Sequence, residues 1–265
     1  MRAELDAAGW LRPSWPDARA AAHVRALMST RRTRPAFDDA DFDPGREGSS
    51  QAARCNREQL ERTLGVPPRW LQQVHGAEVV RVDRCAPCVP PVADAAVSAS
   101  PDVACAVLVA DCLPLLLCDD AGRAVAAAHA GWRGLAAGVI ERSVATLCEA
   151  AGCEPAALQA WLGPCIGPRR FEVGADVLRA FGVDPDACDD EEAARAHFRR
   201  RDRADGSARW LADLPALARQ RLADAGVGRS SGGHWCTVDD ASAFFSFRRD
   251  GALGRMVAAI RLLPR

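Results

Sequence analysis

Two histidines and one cysteine of this chain have side chains that bind soft metal ions, and all three lie where apolar runs end. His75 stands before a glycine between two apolar runs, and Cys112 follows Asp111 between two further runs. His129 closes a third run, just before a turn flanked by glycines. Glycine beside a strand end predicts a tight turn, which presents the neighbouring side chain to a cleft. These residues are therefore candidates for chemistry.

The spacing of His75, Cys112 and His129 indicates which kind of metal site they could form. Zinc fingers take their ligands from close pairs, whereas catalytic zinc sites are assembled from separate strands and keep a fourth position for water or substrate. The long gaps here fit the catalytic kind, and the same two histidines and cysteine could also bind copper. From spacing alone, a satisfied core histidine and a buried cysteine explain these residues equally well.

The elements that must position these side chains can be predicted from hydrophobic patterns. The stretch from Val103 to Gly134 predicts three buried strands followed by the start of a helix, and Leu135 to Ala151 repeats apolar residues at helical spacing. Trp70 to Val74 and Glu78 to Val82 predict two strands joined by the tight turn His75-Gly76-Ala77. Cys112 and His129 would then come from adjacent strand ends, and His75 from a hairpin upstream.

The order of predicted strands and helices along the rest of the chain indicates the fold class. Phe244 to Phe247 and Met256 to Leu262 predict two strands near the C-terminus, Leu211 to Ala225 predicts an amphipathic helix, and the charged stretch from Asp189 to Arg203 predicts a solvated helix face. Strands occur both in adjacent runs and around helices, without regular alternation. This order favours an α+β fold of packed mixed β-sheets flanked by helices. No linker or repeat divides the chain, so we expect one catalytic domain over residues 1–265.

Composition excludes several classes of function. Apolar residues make up 49% of the 265 residues and the formal net charge is -1, which gives no reason to expect nucleic acid or an acidic membrane as partner. The sequence contains no lysine, so arginine must bind any anion and Schiff-base chemistry is excluded. The start lacks a signal-peptide layout, and Asp111 and Pro114 interrupt the longest apolar run. We expect a cytoplasmic protein, as a monomer or homodimer.

The 11 cysteines fit a reduced protein in which most cysteines are small buried hydrophobic residues. Cys85 and Cys88 have the CxxC spacing of redox pairs and zinc clips, but a second such pair is missing and the surrounding loop is rich in proline. We interpret that spacing as coincidence.

Five segments resemble the YfiH-like family, which is also called the laccase-domain, polyphenol-oxidase-like or peptidoglycan-editing-factor family. The resemblance runs from about Trp10 to the C-terminus. The segments are Gln73-Val74-His75-Gly76, Ala110-Asp111-Cys112-Leu113-Pro114, Ala128-His129-Ala130-Gly131-Trp132-Arg133-Gly134, Leu162-Gly163-Pro164-Cys165-Ile166-Gly167-Pro168 and Phe244-Phe245-Ser246-Phe247-Arg248-Arg249.

The resemblance implies a function and a site. It implies Zn²⁺ bound by His75, Cys112 and His129, which makes these three residues catalytic. It implies purine nucleoside phosphorylase activity on adenosine, inosine and methylthioadenosine, with adenosine deaminase activity at the same site. It also implies the fold of bacterial Rho-activating toxins. Two departures bear on specificity: the family's Gly-Gly-Val-Ser and Asn-Leu-Gly segments are replaced around residues 32–36 and 43–46, and Phe247 replaces the usual tyrosine.

Phosphorolysis needs an anion site and a means of assisting the departing base. Arg133 lies where a strand turns into a helix, which is a natural phosphate seat. Gln73 is a further substrate-binding candidate, and Glu172 and Asp111 could move protons or orient a zinc-bound histidine. The other arginine candidates for the substrate are Arg169, Arg170, Arg248 and Arg249.

Three alternatives compete with this interpretation. A copper-dependent polyphenol oxidase follows from one family name, although five histidines are too few for a multicopper enzyme. A cysteine hydrolase of cell-wall peptides would use Cys112 as nucleophile and His129 as base. A non-enzymatic editing partner in peptidoglycan synthesis would need neither role.

Overall fold

Two β-sheets at the centre of the protein hold the strand ends on which the predicted ligands lie. This computed structural model describes residues 5–33, 51–83, 89–186, 197–251 and 254–264. Within these ranges the helices are α1 Ala18–Ala21, α2 Gln51–Leu64, α3 Trp132–Ala136, α4 Val139–Ala151, α5 Ala175–Ala180, α6 Leu214–Asp224 and α7 Phe247–Asp250. The strands are β1 Val24–Met28, β2 Pro68–Arg69, β3 Val79–Arg81, β4 Ala95–Ser98, β5 Ala104–Val109, β6 Leu113–Asp119, β7 Val125–Ala130, β8 Leu158–Leu162, β9 Glu172–Val173, β10 Phe198–Arg200, β11 Trp210–Ala212, β12 Ser230–Gly232 and β13 Met256–Leu262.

The sheets mix parallel and antiparallel pairs. The larger sheet has the order β12-β8-β6-β7-β4-β3, and the second has the order β1-β13-β5-β2. The pairs β12 with β8, β3 with β4, and β2 with β5 are parallel, while the other pairs in these two sheets are antiparallel. A small third sheet has the order β10-β11-β9.

Strand β6 shows why the sheets and helices pack in layers. Its alternate residues Leu115 and Leu117 join the core that packs beneath α4 and α6, whereas Leu116 and Cys118 join the core between the two large sheets. Successive strand side chains point to opposite faces, so an all-apolar strand is the pattern of a sheet covered on both sides. β6 is buried along its whole length.

Helix α2 covers the outer face of the second sheet with Leu60 and Leu64, which pack with Val257 and Ala259 of β13. The order across the protein is therefore helix, sheet, sheet, helices. This confirms the predicted α+β class with packed mixed sheets and flanking helices. Among the described helices, none has the length and apolar character that a bilayer crossing requires.

The predicted hairpin around His75 is wrong. β2 pairs with β5 in one sheet, and β3 pairs with β4 in the other, so the segment between them crosses from sheet to sheet. The main chain of Gln72 pairs instead with Val92 in an isolated parallel bridge. A hairpin requires hydrogen bonds between two neighbouring strands, and here each strand finds its partner farther along the chain.

Two other predicted elements differ from the structure. Phe244 and Phe245 are buried core residues, but the predicted strand there gives way to helix α7, which begins because Ser246 accepts a hydrogen bond from the backbone N–H of Arg249 at 3.2 Å. The predicted helix from residue 135 to 151 is divided at Gly138, whose φ of 88° ends α3 before α4 starts.

The charged stretch from 189 to 203 contains strand β10, whose Phe198 is buried against Phe181 at 5.9 Å between ring centroids. One large apolar side chain in a charged segment can anchor a strand that composition alone assigns to a helix face. Residues 187–196 of that stretch lie outside the described residues, as does the CxxC pair at 85 and 88.

Candidate metal centre and cavity

The structure brings His75, Cys112 and His129 into one cluster. A ligand atom from each lies within 4.8 Å of the other two, and the two imidazole rings meet at 81° with centroids 4.7 Å apart. His129 is buried, Cys112 is half-buried and His75 is exposed, so the cluster opens to solvent on the His75 side. Two imidazoles and a thiolate could hold a metal ion and leave a fourth position open for water or substrate.

Strand register places the second and third members. β6 and β7 are antiparallel, and His129 pairs with Pro114 while Ala130 pairs with Leu113. Cys112, one residue before β6, therefore lies beside Gly131. A Cβ atom on Gly131 would lie 2.9 Å from the Cys112 sulfur and 3.3 Å from the His75 ring, so glycine is required for the close approach.

His75 is placed by a strained turn. Its φ of 60° lies in the left-handed region that a non-glycine residue seldom adopts. The turn is stabilised by Asp94, whose carboxylate accepts hydrogen bonds from the backbone N–H groups of Val74, His75 and Gly76 at 3.2, 2.9 and 2.7 Å. Three such bonds offset a cost of about 1–3 kcal/mol for the backbone strain.

The electrostatics of the cluster favour a thiolate at Cys112. Burial by itself raises the pKa of the Cys112 thiol, but the neighbouring His129 and His75 outweigh burial and lower that pKa to about 6. Burial lowers the pKa of His129, but Cys112 and Asp94 more than compensate and raise it to about 9. A thiolate is the form of cysteine that can bind a metal ion, so the neighbouring histidines favour a Cys112 side chain that could act as a ligand.

The cluster lies in the wall of a cavity of about 960 Å³. That volume is sufficient for a drug-sized or nucleoside-sized molecule. Its walls combine apolar side chains with a few arginines, among them Trp132, Arg133, Ile166, Phe171, Phe247, Arg248 and Arg255. Phe247 remains 57% exposed, which is unusual for a large apolar side chain and marks the cavity's rim.

The predicted arginines separate into three groups. Arg133 and Arg248 line the cavity, and neither forms an ion pair with a carboxylate in the described part of the chain. Arg169 and Arg170 both pair with Asp239, at 3.4 and 2.5 Å, and lie outside the cavity lining. Arg249 donates to the carbonyl groups of Thr237, Val238 and Phe244, so it holds a loop together.

Gln73 lines the cavity, but its side-chain amide is hydrogen-bonded to the backbone of Leu108. Its Nε2 donates to the Leu108 carbonyl at 2.9 Å, and its Oε1 accepts from the Leu108 N–H at 2.7 Å. The side chain thus replaces a strand partner for β5, because it satisfies both backbone groups of one residue. In this arrangement Gln73 shapes the cavity wall.

The carboxylates of Asp111 and Glu172, the two predicted proton carriers, also accept hydrogen bonds from other protein groups. Asp111 accepts hydrogen bonds from the Thr237 hydroxyl, from the Ser246 hydroxyl at 3.0 Å and from the Arg248 backbone N–H at 2.7 Å. Glu172 accepts from the guanidinium of Arg203 and is not among the described lining residues. The carboxylate that orients His129 is neither of them but Asp94, at 2.8 Å from Nδ1.

Sequence reasoning missed Asp94, Arg255 and the aromatic wall of Phe171. Asp94 stands one residue before β4, and the register Ala95 with Ala128 puts it directly beside His129. A correct strand pairing would therefore have identified it. Arg255 reaches the cavity from the start of β13, where its guanidinium lies 5.9 Å from the Phe247 ring, and no local pattern marks it.

Comparison with known proteins places the chain in a family. The family model described as multi-copper polyphenol oxidoreductase laccase matches residues 25–263. A Pseudomonas aeruginosa protein named purine nucleoside phosphorylase is 42% identical over 96% of this chain and 98% of its own length. The protein named purine nucleoside phosphorylase YfiH of Escherichia coli is 41% identical over 95% and 98%, respectively.

Solved structures agree with this assignment. A crystal structure of a Neisseria meningitidis protein aligns with a TM-score of 0.82 at 41% identity, covering 97% of this chain and all of that one. The crystal structure of Bacillus licheniformis YfiH aligns with a TM-score of 0.81 at 25% identity over 97% and 98%. The chain belongs to this YfiH-like, laccase-domain family.

Proposed function

We propose that this protein is a zinc-dependent purine nucleoside phosphorylase, which converts adenosine, inosine or methylthioadenosine and phosphate to the free base and a ribose 1-phosphate. The observation that supports it best is an open His-Cys-His cluster in the wall of a cavity that Arg133 and Arg248 also line, neither of them paired with a carboxylate among the described residues. Two relatives that match over nearly their whole lengths are named purine nucleoside phosphorylases.

His75, Cys112 and His129 would hold the zinc ion. The fit is supported by the donor set, by the lowered pKa of Cys112 and by the missing Cβ of Gly131, which leaves space beside the thiolate and the His75 ring. A bound Zn²⁺ supplies a Lewis acid that polarises the group it contacts.

The chain's other residues would bind the two substrates. Arg133 and Arg248 carry positive charge into the cavity, and a guanidinium can donate two hydrogen bonds to a phosphate. The apolar rings of Trp132, Phe171 and Phe247 suit a flat purine base, since aromatic faces stack with one another. Burial of the base would exclude water, which otherwise competes with phosphate as nucleophile.

Deamination of adenosine at the same site has less support. It requires a carboxylate that moves a proton beside the metal-activated water. Among the described residues that line the cavity, Asp111 is the sole carboxylate, and it already accepts three hydrogen bonds. Phosphorolysis depends more on anion binding, for which arginines are present.

One observation favours a second candidate, a cysteine hydrolase. Cys112, His129 and Asp94 form a relay of thiolate, imidazole and carboxylate like that of cysteine hydrolases. His75, however, lies within 4.8 Å of the other ligand atoms, and a hydrolase does not need this second histidine. Zinc and a nucleophilic role would compete for one sulfur.

A nucleoside assay tests the phosphorylase proposal. Purified protein is incubated with adenosine, inosine and methylthioadenosine, with and without phosphate, and the released base and sugar phosphate are quantified. We expect ribose 1-phosphate (methylthioribose 1-phosphate from methylthioadenosine) when phosphate is present, and loss of at least about 100-fold in rate for Cys112→Ala. Cys153→Ala, which changes another half-buried cysteine, is the control.

Two outcomes contradict the proposal. Absence of base release from all three nucleosides would refute phosphorylase activity. If chelation left activity intact while thiol alkylation abolished it, the hydrolase would be favoured instead. Metal analysis of protein purified without added metal decides between zinc and copper, and copper at full occupancy would refute the zinc assignment.

A further inference from the structure

We propose that Asp94 is a positioning residue that fixes both histidines of the metal cluster at once, and this inference rests on the proposed metal site. Asp94 has no exposed surface, yet it carries a carboxylate. A buried carboxylate is tolerated only when hydrogen-bond donors surround it. Its donors here all belong to the two histidines or to the turn that contains one of them.

The first connection is to the side chain of His129. Asp94 Oδ1 lies 2.8 Å from His129 Nδ1, and the two residues are also joined by the His129 N–H bond to the Asp94 carbonyl at 2.7 Å. A carboxylate accepts hydrogen bonds, so Nδ1 of a neutral His129 carries the proton and Nε2 keeps its lone pair for a metal ion. The side chain therefore selects the tautomer and the ring orientation.

The second connection is to the backbone around His75. Oδ1 accepts from His75 N–H at 2.9 Å, and Oδ2 accepts from Gly76 N–H at 2.7 Å and Val74 N–H at 3.2 Å. Three consecutive N–H groups that converge on one anion form a concave anion-binding turn. This turn holds His75 at its φ of 60° and so directs its ring towards His129.

A single carboxylate thus sets the distance between two ligands that are far apart in the sequence. If the carboxylate is changed, the His75 turn loses its anion and His129 loses its orienting acceptor. Loss of such a partner of a metal ligand typically weakens metal binding by about 10- to 100-fold. A merely structural buried aspartate would lower stability without changing the metal affinity of the folded protein.

The chain contains a close match for such a structural aspartate. Asp119, at the other end of β6 from Cys112, is equally buried. Its carboxylate accepts from the backbone N–H groups of Ala121, Arg123 and Ala124 at 3.2, 2.6 and 2.9 Å, and from the Arg123 side chain at 3.0 Å. Asp119→Asn therefore makes the same chemical change against a similar set of donors, away from the cluster.

The test compares Asp94→Asn, Asp94→Glu and Asp119→Asn with the unmodified protein. Zinc affinity is measured by competition with a chelating indicator, and the Co²⁺-substituted proteins are compared by their ligand-field absorption bands. We expect the Asp94 variants to bind zinc about 10- to 100-fold more weakly and to show shifted Co²⁺ bands. Asp119→Asn should keep the affinity and the bands of the unmodified protein.

Folding of each variant is monitored by circular dichroism. If Asp94→Asn does not fold, the proposal is tested on Asp94→Glu, which keeps the charge and moves the carboxylate by one methylene. Wild-type affinity and bands in the folded Asp94 variants would overturn the proposal. An equal loss of affinity in Asp119→Asn would overturn it as well, because the effect would then be general destabilisation. If the unmodified protein bound no zinc, the proposed metal site itself would be wrong.

Discussion

At the scale of single residues, the partners of each arginine decide which one can bind a substrate anion. From the sequence, Arg133 was favoured because it lies where a strand turns into a helix, and no local pattern ranked the further candidates Arg169, Arg170, Arg248 and Arg249. In the structure Arg169 and Arg170 pair with Asp239, and Arg249 binds three backbone carbonyl groups. An arginine whose donors are satisfied has little left to offer a phosphate. Neither Arg133 nor Arg248 pairs with a carboxylate among the described residues, and Arg248 makes two long hydrogen bonds, at 3.3 and 3.4 Å, to the backbone carbonyl of Glu172.

We expect Arg248→Ala to raise the KM for phosphate by about 10- to 100-fold, since a hydrogen bond to a charged group contributes about 1.5–3 kcal/mol. The matched control is Arg170→Ala, which removes a similarly exposed arginine that is paired with Asp239. Exposed ion pairs contribute about 0–1 kcal/mol, so that variant should keep both its phosphate KM and its stability. The measurement is initial rate against phosphate concentration at saturating nucleoside. Equal effects of the two substitutions would contradict the assignment of Arg248.

At the scale of elements, the pairing of β6 with β7 decides the geometry of the cluster. The two strands bring Cys112 and His129 to the same end of the larger sheet, and the turn after β7 passes so close to the ligands that it must begin with glycine. The backbone of Gly131 has φ -69°, which any residue can adopt. Glycine is needed there for space and not for conformational freedom.

We expect Gly131→Ala to weaken zinc binding by about 10-fold or more while the protein stays folded, because the new methyl group would lie 2.9 Å from the Cys112 sulfur and displace it. Gly228→Ala is the control, since a Cβ there meets nothing within 4 Å and its φ is not in the left-handed region. Zinc affinity and circular dichroism of both variants provide the measurement. Unchanged affinity in Gly131→Ala would show that the cluster tolerates the methyl group and would contradict the required close approach.

At the scale of the whole molecule, the candidate site joins parts of the chain that fold into different layers. His75 comes from the connection between the two large sheets, Cys112 and His129 come from the larger sheet, and Arg248 comes from helix α7. Asp111 fastens α7 to this site through the Ser246 hydroxyl and the Arg248 N–H. A metal ion bound at this junction would connect segments that otherwise separate on unfolding.

We therefore expect removal of the metal ion to lower the melting temperature without abolishing the fold. A ligand present at 100 times its dissociation constant adds about 2.7 kcal/mol, which corresponds to roughly 5–10 °C for a chain of this size. The extensive core between the sheets remains without the ion, so a folded metal-free protein should persist. Thermal unfolding with excess chelator, followed by zinc addition, provides the measurement. A melting temperature that did not respond to chelator or zinc would contradict metal binding at this site.

The sequence by itself determined the residue types of the metal cluster, the family and the layered α+β class. These follow from local features: buried strands appear as continuous apolar runs, and the family motifs are short segments that contain the candidate metal ligands. Strand existence was predicted well for β5, β6 and β7, because each is a strongly apolar run between turn residues.

Only the tertiary structure decided how the cluster is held and which charges face the cavity. The hairpin around His75 failed because its two strands pair with partners in different sheets, and Asp94 escaped notice because it reaches His129 only through the β4–β7 register. Arg170 and Arg248 could not be ranked, since an ion pair with Asp239 spans many residues and leaves no local pattern. The sequence gives the type of each side chain directly. Which hydrogen-bond or ion-pair partner that side chain has depends on contacts between segments that are distant in the sequence.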